Sequence, residues 1–325
     1  MRILVTGGAG FVGSHYVRAL LSGAYEPGAA HTVTVLDKLT YAGSRENLPV
    51  LHDRLTFVRG DICDVRLVAE SMSGQDAVVH FAAESHVDRS IDGGADFART
   101  NVLGTQILLH AAVNAGVERV VHVSTDEVYG SIGHGAWTEE SPLLPNSPYA
   151  ASKAGSDLVA RAHWRTHGLN VSVTRCSNNY GPRQHPEKLV PRFVTRLLRG
   201  EPVPVYGNGH NRREWLHVDD HCRAVHLVLT RGRAGEVYHV GGGEELTNLE
   251  LTERILGLCG ADSSMIRHVP DRKGHDVRYS ISDRKIRDEL GYAPRRTLDE
   301  GLAATVAWYR DNPAWWQAVR APIHT

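Results

Sequence analysis

Six short runs rich in β-branched residues, set apart by longer stretches of helical period, constrain this chain more than any other feature. The runs are Arg2–Thr6, Thr32–Asp37, Leu55–Arg59, Ala77–Phe81, Arg119–Ser124 and Asn170–Arg175. Among the stretches between them are Phe11–Leu21, Val65–Met72, Asp96–Ala115 and Ser152–His167. Near-continuous apolar strands alternating with helices predict a parallel sheet covered on both faces, because each crossover lays a helix on the sheet. Right-handed crossovers then give an α/β, doubly wound (Rossmann) architecture. After about Gly181 the rhythm breaks. Pro and Gly crowd residues 181–191 and 200–209, and shorter elements follow: a helix near Asp219–Thr230, a strand at Glu236–Val240, and helices near Asn248–Leu258 and Leu298–Tyr309. We expect residues 1–180 to form the nucleotide-binding domain and 181–325 a smaller α/β lobe, with crossing segments interleaved. The tail after Trp316 is expected to be disordered.

The first run leads straight into Gly7-Gly8-Ala9-Gly10-Phe11-Val12-Gly13 and then a helix. Glycine permits the tight turn and lets a pyrophosphate approach main-chain N–H groups at a helix N-terminus. The Gly7-x-x-Gly10-x-x-Gly13 spacing differs from the GxGxxG form, and its context strengthens it. Asp37 ends the second run, where a carboxylate accepts both adenosine ribose hydroxyls and repels a 2′-phosphate. That favours NAD over NADP, against which the neighbouring Lys38 weighs slightly. Asp61, after the third run, suits either the adenine amino group or a helix N-cap.

The fifth run ends in Ser124-Thr125-Asp126-Glu127, and Tyr149-Ala150-Ala151-Ser152-Lys153 follows. Tyr149 and Lys153, at i and i+4, share one helix face. A free phenol, with a pKa of about 10, is a poor base at neutral pH. A neighbouring ammonium and a nicotinamide cation both lower it, so that Tyr149 can take a sugar hydroxyl proton as hydride leaves the carbon. The adjacent Asp126 and Glu127 suit acid–base work, since like charges in a closed site push one pKa upward.

The glycine turn, Ser124-Thr125 and Tyr149-x-x-x-Lys153 together resemble the extended short-chain dehydrogenase/reductases. Three runs narrow the resemblance to the dTDP-glucose 4,6-dehydratases, especially those of antibiotic deoxysugar pathways: His80-Phe81-Ala82-Ala83-Glu84-Ser85-His86-Val87-Asp88, Thr125-Asp126-Glu127-Val128-Tyr129-Gly130 and Ser177-Asn178-Asn179-Tyr180-Gly181-Pro182. The likeness continues through Arg213-Glu214-Trp215 and Arg272-Lys273-Gly274-His275-Asp276, so it covers nearly the whole chain. It implies a reaction in three stages on bound NAD. Tyr149 deprotonates the C4 hydroxyl as C4 gives up hydride, Glu127 takes the C5 proton while Asp126 protonates the leaving C6 hydroxyl, and hydride returns to C6 and a proton to C5. Thr125 and Lys153 complete the implied catalytic set. The implied NAD cradle takes Gly7, Gly10, Phe11, Val12 and Gly13 from the first turn. From the next loop it takes Asp37, Lys38, Leu39, Thr40 and Gly43, with Asp61 and Ile62 beyond. Phe81, Ala82, Ala83, Ser85 and Thr100 form its other wall, with Tyr149, Lys153 and Asn179 at the deep end.

A sugar nucleotide also needs a diphosphate clamp and a base pocket. Lys188, Arg213 and Arg272 are clamp candidates, Arg matching phosphate oxygens bidentately. The resemblance adds Asn178, Leu189, Pro204, Asn248 and His275. Tyr206 is suited to stack on thymine, and Ser85 and Thr125 to hold sugar hydroxyls. Thymine against uracil, the downstream pathway and the oligomer size stay open at this level.

Net charge is −1 over 325 residues, which points away from nucleic acid and anionic membrane. Lys appears only at 38, 153, 188, 273 and 285, which sets Lys153 and Lys188 apart from background. Cys63, Cys176, Cys222 and Cys259 form no CxxC pair and are expected to be reduced. No close Cys/His pairs have zinc spacing, so no metal is expected. The N-terminus lacks a signal peptide's apolar core, and no run reaches membrane-spanning length, so a cytoplasmic protein is expected. A homodimer is the expected assembly, with Asp96–Ala115 and Ser152–His167 as contact helices. Two alternatives stand beside the dehydratase: a sugar-nucleotide 4-epimerase, which has no need of Asp126-Glu127, and a non-catalytic NAD-sensing protein, which would be free to lose Tyr149 or Lys153.

Overall fold

The computed structural model describes residues 1–318. Six strands follow the sequence pattern: β1 Arg2–Thr6, β2 Thr32–Asp37, β3 Leu55–Arg59, β4 Ala77–His80, β5 Arg119–Thr125 and β6 Val171–Cys176. Five more lie between residues 178 and 247, with a last one beyond: β7 Asn178–Tyr180, β8 Val203–Tyr206, β9 Arg212–His217, β10 Val237–Val240, β11 Glu245–Thr247 and β12 Ile266–Val269. The main sheet is ordered β10-β6-β5-β4-β1-β2-β3, and every pairing in it is parallel.

Alternation along the strands builds two cores. Ile3 and Val5 of β1, with Val33 and Val35 of β2, face one side; Leu4 and Leu36 face the other. The first side is covered by the helices Phe11–Leu21 and Val218–Arg231, through residues such as Val17, Leu20, Val225 and Leu229. The second is covered by Val65–Met72, Thr105–Ala115 and Pro148–His167, through residues including Val68, Leu108 and Ala160. A third core, around Phe193, Trp215, Leu251, Leu302 and Tyr309, unites the three-stranded β11-β9-β7 sheet and the β12-β8 pair with their helices. The chain crosses between these bodies more than once: β10, far along the sequence, lies at the edge of the main sheet beside β6.

Two expected helices differ in the structure. The helix expected to start at Ser152 begins at Pro148, because the Ser147 side chain accepts from the N–H of Ala150 and Pro148 sits at the first position, where a missing N–H costs nothing. The stretch Asp96–Ala115 is not one helix. It runs as Gly94–Phe97, a π-helical segment Ala98–Gly104, and Thr105–Ala115. In the π segment the Asn101 amide bonds the N–H and the carbonyl of Glu84, at 2.8 and 3.0 Å, and the Ser152 hydroxyl at 2.8 Å. Most of the expected tail lies outside the described residues; Gln317 and Ala318 continue the helix Pro313–Ala318.

Candidate active site

In the main sheet the strand order reverses between β1 and β4, and a cleft opens at their carboxyl ends, as doubly wound sheets favour. Its floor is the glycine turn. Gly7 has φ +68°, and a Cβ there would stand 2.6 Å from the backbone nitrogen of Ala82; one on Gly13 would stand 2.3 Å from the Gly7 carbonyl oxygen. Only glycine fits either place. Gly10 caps the helix Phe11–Leu21 without a side-chain bond, so first-turn N–H groups face the cleft beside Phe11 and Val12. This is a cradle for an anionic group brought against the backbone.

Asp37 closes the next side of the cleft. One oxygen accepts from the N–H of Ala9 and the other from that of Leu39, each at 2.8 Å, and burial raises its pKa. A carboxylate has about four acceptor sites, so capacity remains for a diol. Lys38 is drawn away to Asp61, 2.8 Å off, and Asp61 also accepts from the N–H of Cys63. The cap of the helix Val65–Met72 is Asp64, not Asp61. Thr40, Gly43, Asp61 and Ile62 line this end; Phe81, Ala82, Ala83, Ser85 and Thr100 line the opposite wall. Leu39 is the one proposed cradle residue that does not line the cleft; with φ 56°, it serves through its N–H to Asp37.

At the deep end stand Thr125, Asp126, Glu127, Tyr149, Lys153, Asn178 and Asn179. Their placement follows from two caps. Strand β5 stops at Thr125, whose hydroxyl accepts from the N–H of Glu127 and so forms the turn that presents both carboxyls. Ser147 starts the helix that carries Tyr149 and Lys153 on one face. The two carboxyls differ. Asp126 is buried, its Oδ2 has no hydrogen-bond partner, and burial, then the charges of Glu127 and Glu214, raise its pKa far above the carboxylate range. Glu127 is also raised by burial, but Arg272, Lys188 and Arg213 pull it back. The pair therefore separates into an acid and a base.

Burial, then Glu127, Cys176 and Asp126, hold the Tyr149 phenol well above its ordinary pKa, with Thr125 opposing them. The expected lowering by the Lys153 ammonium is not seen: that ammonium is not among the groups acting on Tyr149. Lys153 donates to the carbonyl of Val123 at 2.8 Å, and burial brings its pKa to about 8. Beneath it runs a buried polar band: Asp157 faces His122 at 3.3 Å and Arg175 at 2.8 Å, and Arg175 reaches the Tyr129 hydroxyl, which bonds His239.

A second cleft opens from the first and shares Glu127, Asn178, Glu187 and Lys188 with it. Leu189, Pro204, Tyr206, Arg213, Asn248, Arg272 and His275 line it, so the structure brings the proposed substrate set together, Ser85 and Thr125 standing in the first cleft. The Lys188 ammonium donates to the Ser85 carbonyl at 2.6 Å. Arg213 is braced by the carbonyls of Arg212 and Asp276, at 2.7 and 2.8 Å, and lies over the Tyr279 ring. Tyr206 meets the His275 ring edge-on, and His275 is bound to Asp271 at 2.6 Å. Buried atoms without protein partners include Asn178 Oδ1, Asn248 Oδ1 and Arg272 Nε. Such atoms mark a site built for a polar ligand.

Sequence reasoning missed Asp88, Glu187, Arg192 and Tyr279, which also line the second cleft. It missed Asn101 too, whose π segment carries no sequence signal. Asp88 and Glu187 sit inside or beside recognised runs and were legible as charged residues next to named ones. No group of three or more His, Cys, Asp or Glu that could hold a metal occurs among the described residues, and none of their helices is long and apolar enough to cross a membrane.

A family model described as GDP-mannose 4,6 dehydratase matches residues 4–305. The chain is 63% identical over 324 residues to a dTDP-glucose 4,6-dehydratase of Streptomyces niveus, covering 99% of this chain and 96% of that one. A crystal structure of DesIV, a dTDP-glucose 4,6-dehydratase from Streptomyces venezuelae with NAD and TYD bound, is 65% identical and superposes with a TM-score of 0.97, over 98% of this chain and 100% of that one. A UDP-glucose 4-epimerase of Thermotoga maritima is 33% identical with a TM-score of 0.89, covering 96% and 100%.

Proposed function

This chain belongs to the dTDP-glucose 4,6-dehydratases of the extended short-chain dehydrogenase/reductase family, and from that premise we propose how its own residues perform the reaction. The protein is an NAD-dependent hydro-lyase that converts dTDP-glucose to dTDP-4-keto-6-deoxyglucose. The observation that carries this reading is the turn after β5, which sets a buried, protonation-prone Asp126 and a cation-flanked Glu127 beside Tyr149 at the meeting of the two clefts. A 4-epimerase on the same fold has no step that needs such a pair.

The first cleft would hold the dinucleotide, Gly7, Gly10 and Gly13 taking its pyrophosphate against the first-turn N–H groups and Asp37 its adenosine ribose. When bound, NAD would supply the hydride acceptor for C4 and the hydride donor for C6. Tyr149 removes the proton from the C4 hydroxyl, with Lys153 on the same helix face and Thr125 steering its hydroxyl. The C4 ketone then acidifies C5. Glu127 takes the C5 proton while Asp126 delivers one to the departing C6 hydroxyl, which leaves as water, and as hydride reaches C6 a proton returns to C5. Lys188, Arg213 and Arg272 hold the diphosphate, Asn178 and Asn248 add hydrogen bonds, and Tyr206 stacks on the base between Pro204, Leu189 and His275.

The reading extends to a cytoplasmic homodimer in deoxysugar, including antibiotic, biosynthesis. Streptomyces relatives support the pathway class. Exposed Leu103 and Leu158, on the two expected contact segments, support the assembly. The test of function is direct: incubate with dTDP-glucose and read the alkali-induced absorbance of a 4-keto sugar. Appearance of that signal with no net NADH supports the assignment; formation of a 4-epimer with no keto product overturns it.

A further inference from the structure

Side chains from three separate segments converge on Glu187: the Tyr41 loop, the helix Val87–Asp92 with its cap His86, and the His185 loop. Its Oε2 lies 3.3 Å from Nε of Arg89 and 3.8 Å from Nε2 of His86, and its Oε1 lies 3.8 Å from Nδ1 of His185. Tyr41 adjoins the same carboxylate. The Arg89 guanidinium stands 3.6 Å from the centre of the Tyr41 ring, and the His185 ring meets that ring edge-on at 5.4 Å. The Glu187 side chain is 7% exposed and that of Arg89 33%.

Each contributing segment also carries part of the site. Tyr41 stands between Thr40 and Gly43 of the cofactor cleft; His86 and Arg89 follow Ser85; Glu187 directly precedes Lys188, whose ammonium reaches back to the Ser85 carbonyl. Glu187 lines the cofactor cleft, the substrate cleft and an outer cleft that contains Tyr41 and Arg89. It is therefore part of the wall that separates the bound dinucleotide from solvent on that side. No sheet pairs these three segments with one another; the cluster joins them, together with the Lys188–Ser85 bond. Parting Arg89 from Glu187 would strand a buried carboxylate, which is costly.

The chemistry needs such a wall. Hydride is lent and returned within one turnover, so a dinucleotide that leaves between the two transfers ends the cycle. We propose that Tyr41, Arg89 and Glu187 form a clasp over the cofactor cleft, with Glu187 a positioning residue that couples retention of the dinucleotide to occupation of the diphosphate clamp at Lys188. This rests on the reading of Lys188 as a diphosphate ligand. A diphosphate that fixes Lys188 also fixes its neighbour Glu187, and through it the helix of Arg89 and the loop of Tyr41.

The experiment uses holoenzyme loaded with isotopically labelled NAD and chased with excess unlabelled NAD, with and without dTDP. Wild-type protein exchanges slowly, and dTDP slows it several-fold further. Arg89→Ala and Glu187→Gln are expected to exchange roughly tenfold faster, about 1.4 kcal/mol in the barrier, and to lose the protection by dTDP. Arg89→Lys keeps the charge without the planar stack and is expected to fall between; it also serves if Arg89→Ala does not fold. Exchange at the wild-type rate in Glu187→Gln and the Arg89 variants overturns the clasp, and accelerated exchange that dTDP still suppresses overturns the coupling. Lys188→Met separates the underlying reading: wild-type affinity for dTDP in that variant removes Lys188 from the clamp, whatever the exchange rates of the others.

Discussion

Glu127→Gln is expected to divide the reaction in two, and the surroundings of Glu127 set the size of each part. Glutamine keeps the shape and reach of the side chain but accepts no proton. The lost charge acts on two neighbours. Among neighbouring charges, the Glu127 carboxylate does most to raise both Asp126 and Tyr149. Its removal lowers the pKa of the Tyr149 phenol, so oxidation at C4 is not impaired on that account and is expected to proceed at a comparable or greater rate. It also makes Asp126 a weaker holder of its proton at neutral pH, which handicaps the second partner in the elimination. Loss of a positioned base alone is worth on the order of 10²–10⁴, and the effect on Asp126 adds to it, so dehydration is expected to fall toward the larger figure. In stopped flow, dTDP-glucose added to the variant holoenzyme should give an NADH absorbance that rises promptly and then persists or decays without 4-keto-6-deoxy product. C5 hydrogen exchange with solvent should fall in step with dehydration. If oxidation and dehydration fall by one common factor, Glu127 holds the substrate and carries no proton, and the division of labour argued from the two carboxyls is wrong. If neither falls, the pair has no part in the elimination and the epimerase reading gains.

Further outcomes follow from the same structure. Tyr149→Phe is expected to keep NAD and lose oxidation at C4; near-wild-type turnover of the purified variant would exclude Tyr149 as the base. Arg213→Ala should weaken binding of free dTDP by roughly 1.5–3 kcal/mol, the worth of a charge-assisted hydrogen bond, and calorimetry showing unchanged affinity would place it outside the clamp. Lys153, lowered from 10.5 to about 8 by burial, binds fewer protons folded than unfolded between those values, so its charge is a cost that is fully present below pH 8 and relieved as the pH rises toward 10.5. Lys153→Met should therefore be inactive yet more resistant to urea than wild type at pH 7, with an advantage that shrinks above pH 8; an advantage independent of pH would mean that packing, not charge, is responsible. Asp157→Ala leaves the buried Arg175 without its carboxylate, and urea titration should show a loss of about 3–5 kcal/mol; a loss below 1 kcal/mol would show that the band beneath Lys153 is not held by that pair.

Much of this was readable in the residues because each rested on a local rule. β-branched runs located β1, β2 and β3 to the residue, and the glycine spacing marked the cradle, since Gly7 and Gly13 answer to backbone geometry that no other side chain satisfies. What escaped was set by tertiary contact. The π segment at Asn101 is fixed by its bonds to Glu84 and Ser152, and periodicity alone reads it as ordinary helix. Strands β7, β9 and β11 lack a run of β-branched residues and β8 holds Pro204, so their composition does not set them apart from loop. The start of the Tyr149 helix was missed although Ser147-Pro148 is a local signal, a cap followed by a first-turn proline. That Asp126 and Glu127 divide into an acid and a base was readable; the physical cause of the division was not, because Arg213 and Arg272 reach Glu127 from far along the chain.

The position of β10 also governs how the protein can be made. A ribosome releases β6 well before Val237–Val240, and until that strand arrives the outer edge of β6 is an open row of backbone donors and acceptors. The face that Val225 and Leu229 cover is bare for the same interval. A nascent chain halted near residue 180 would thus display an unpaired parallel edge and an uncovered apolar surface together, the combination that recruits chaperones or a second copy. Gene fragments ending there should yield aggregates and not a free-standing dinucleotide-binding half, and a split version of the protein would have to place its break after Val240.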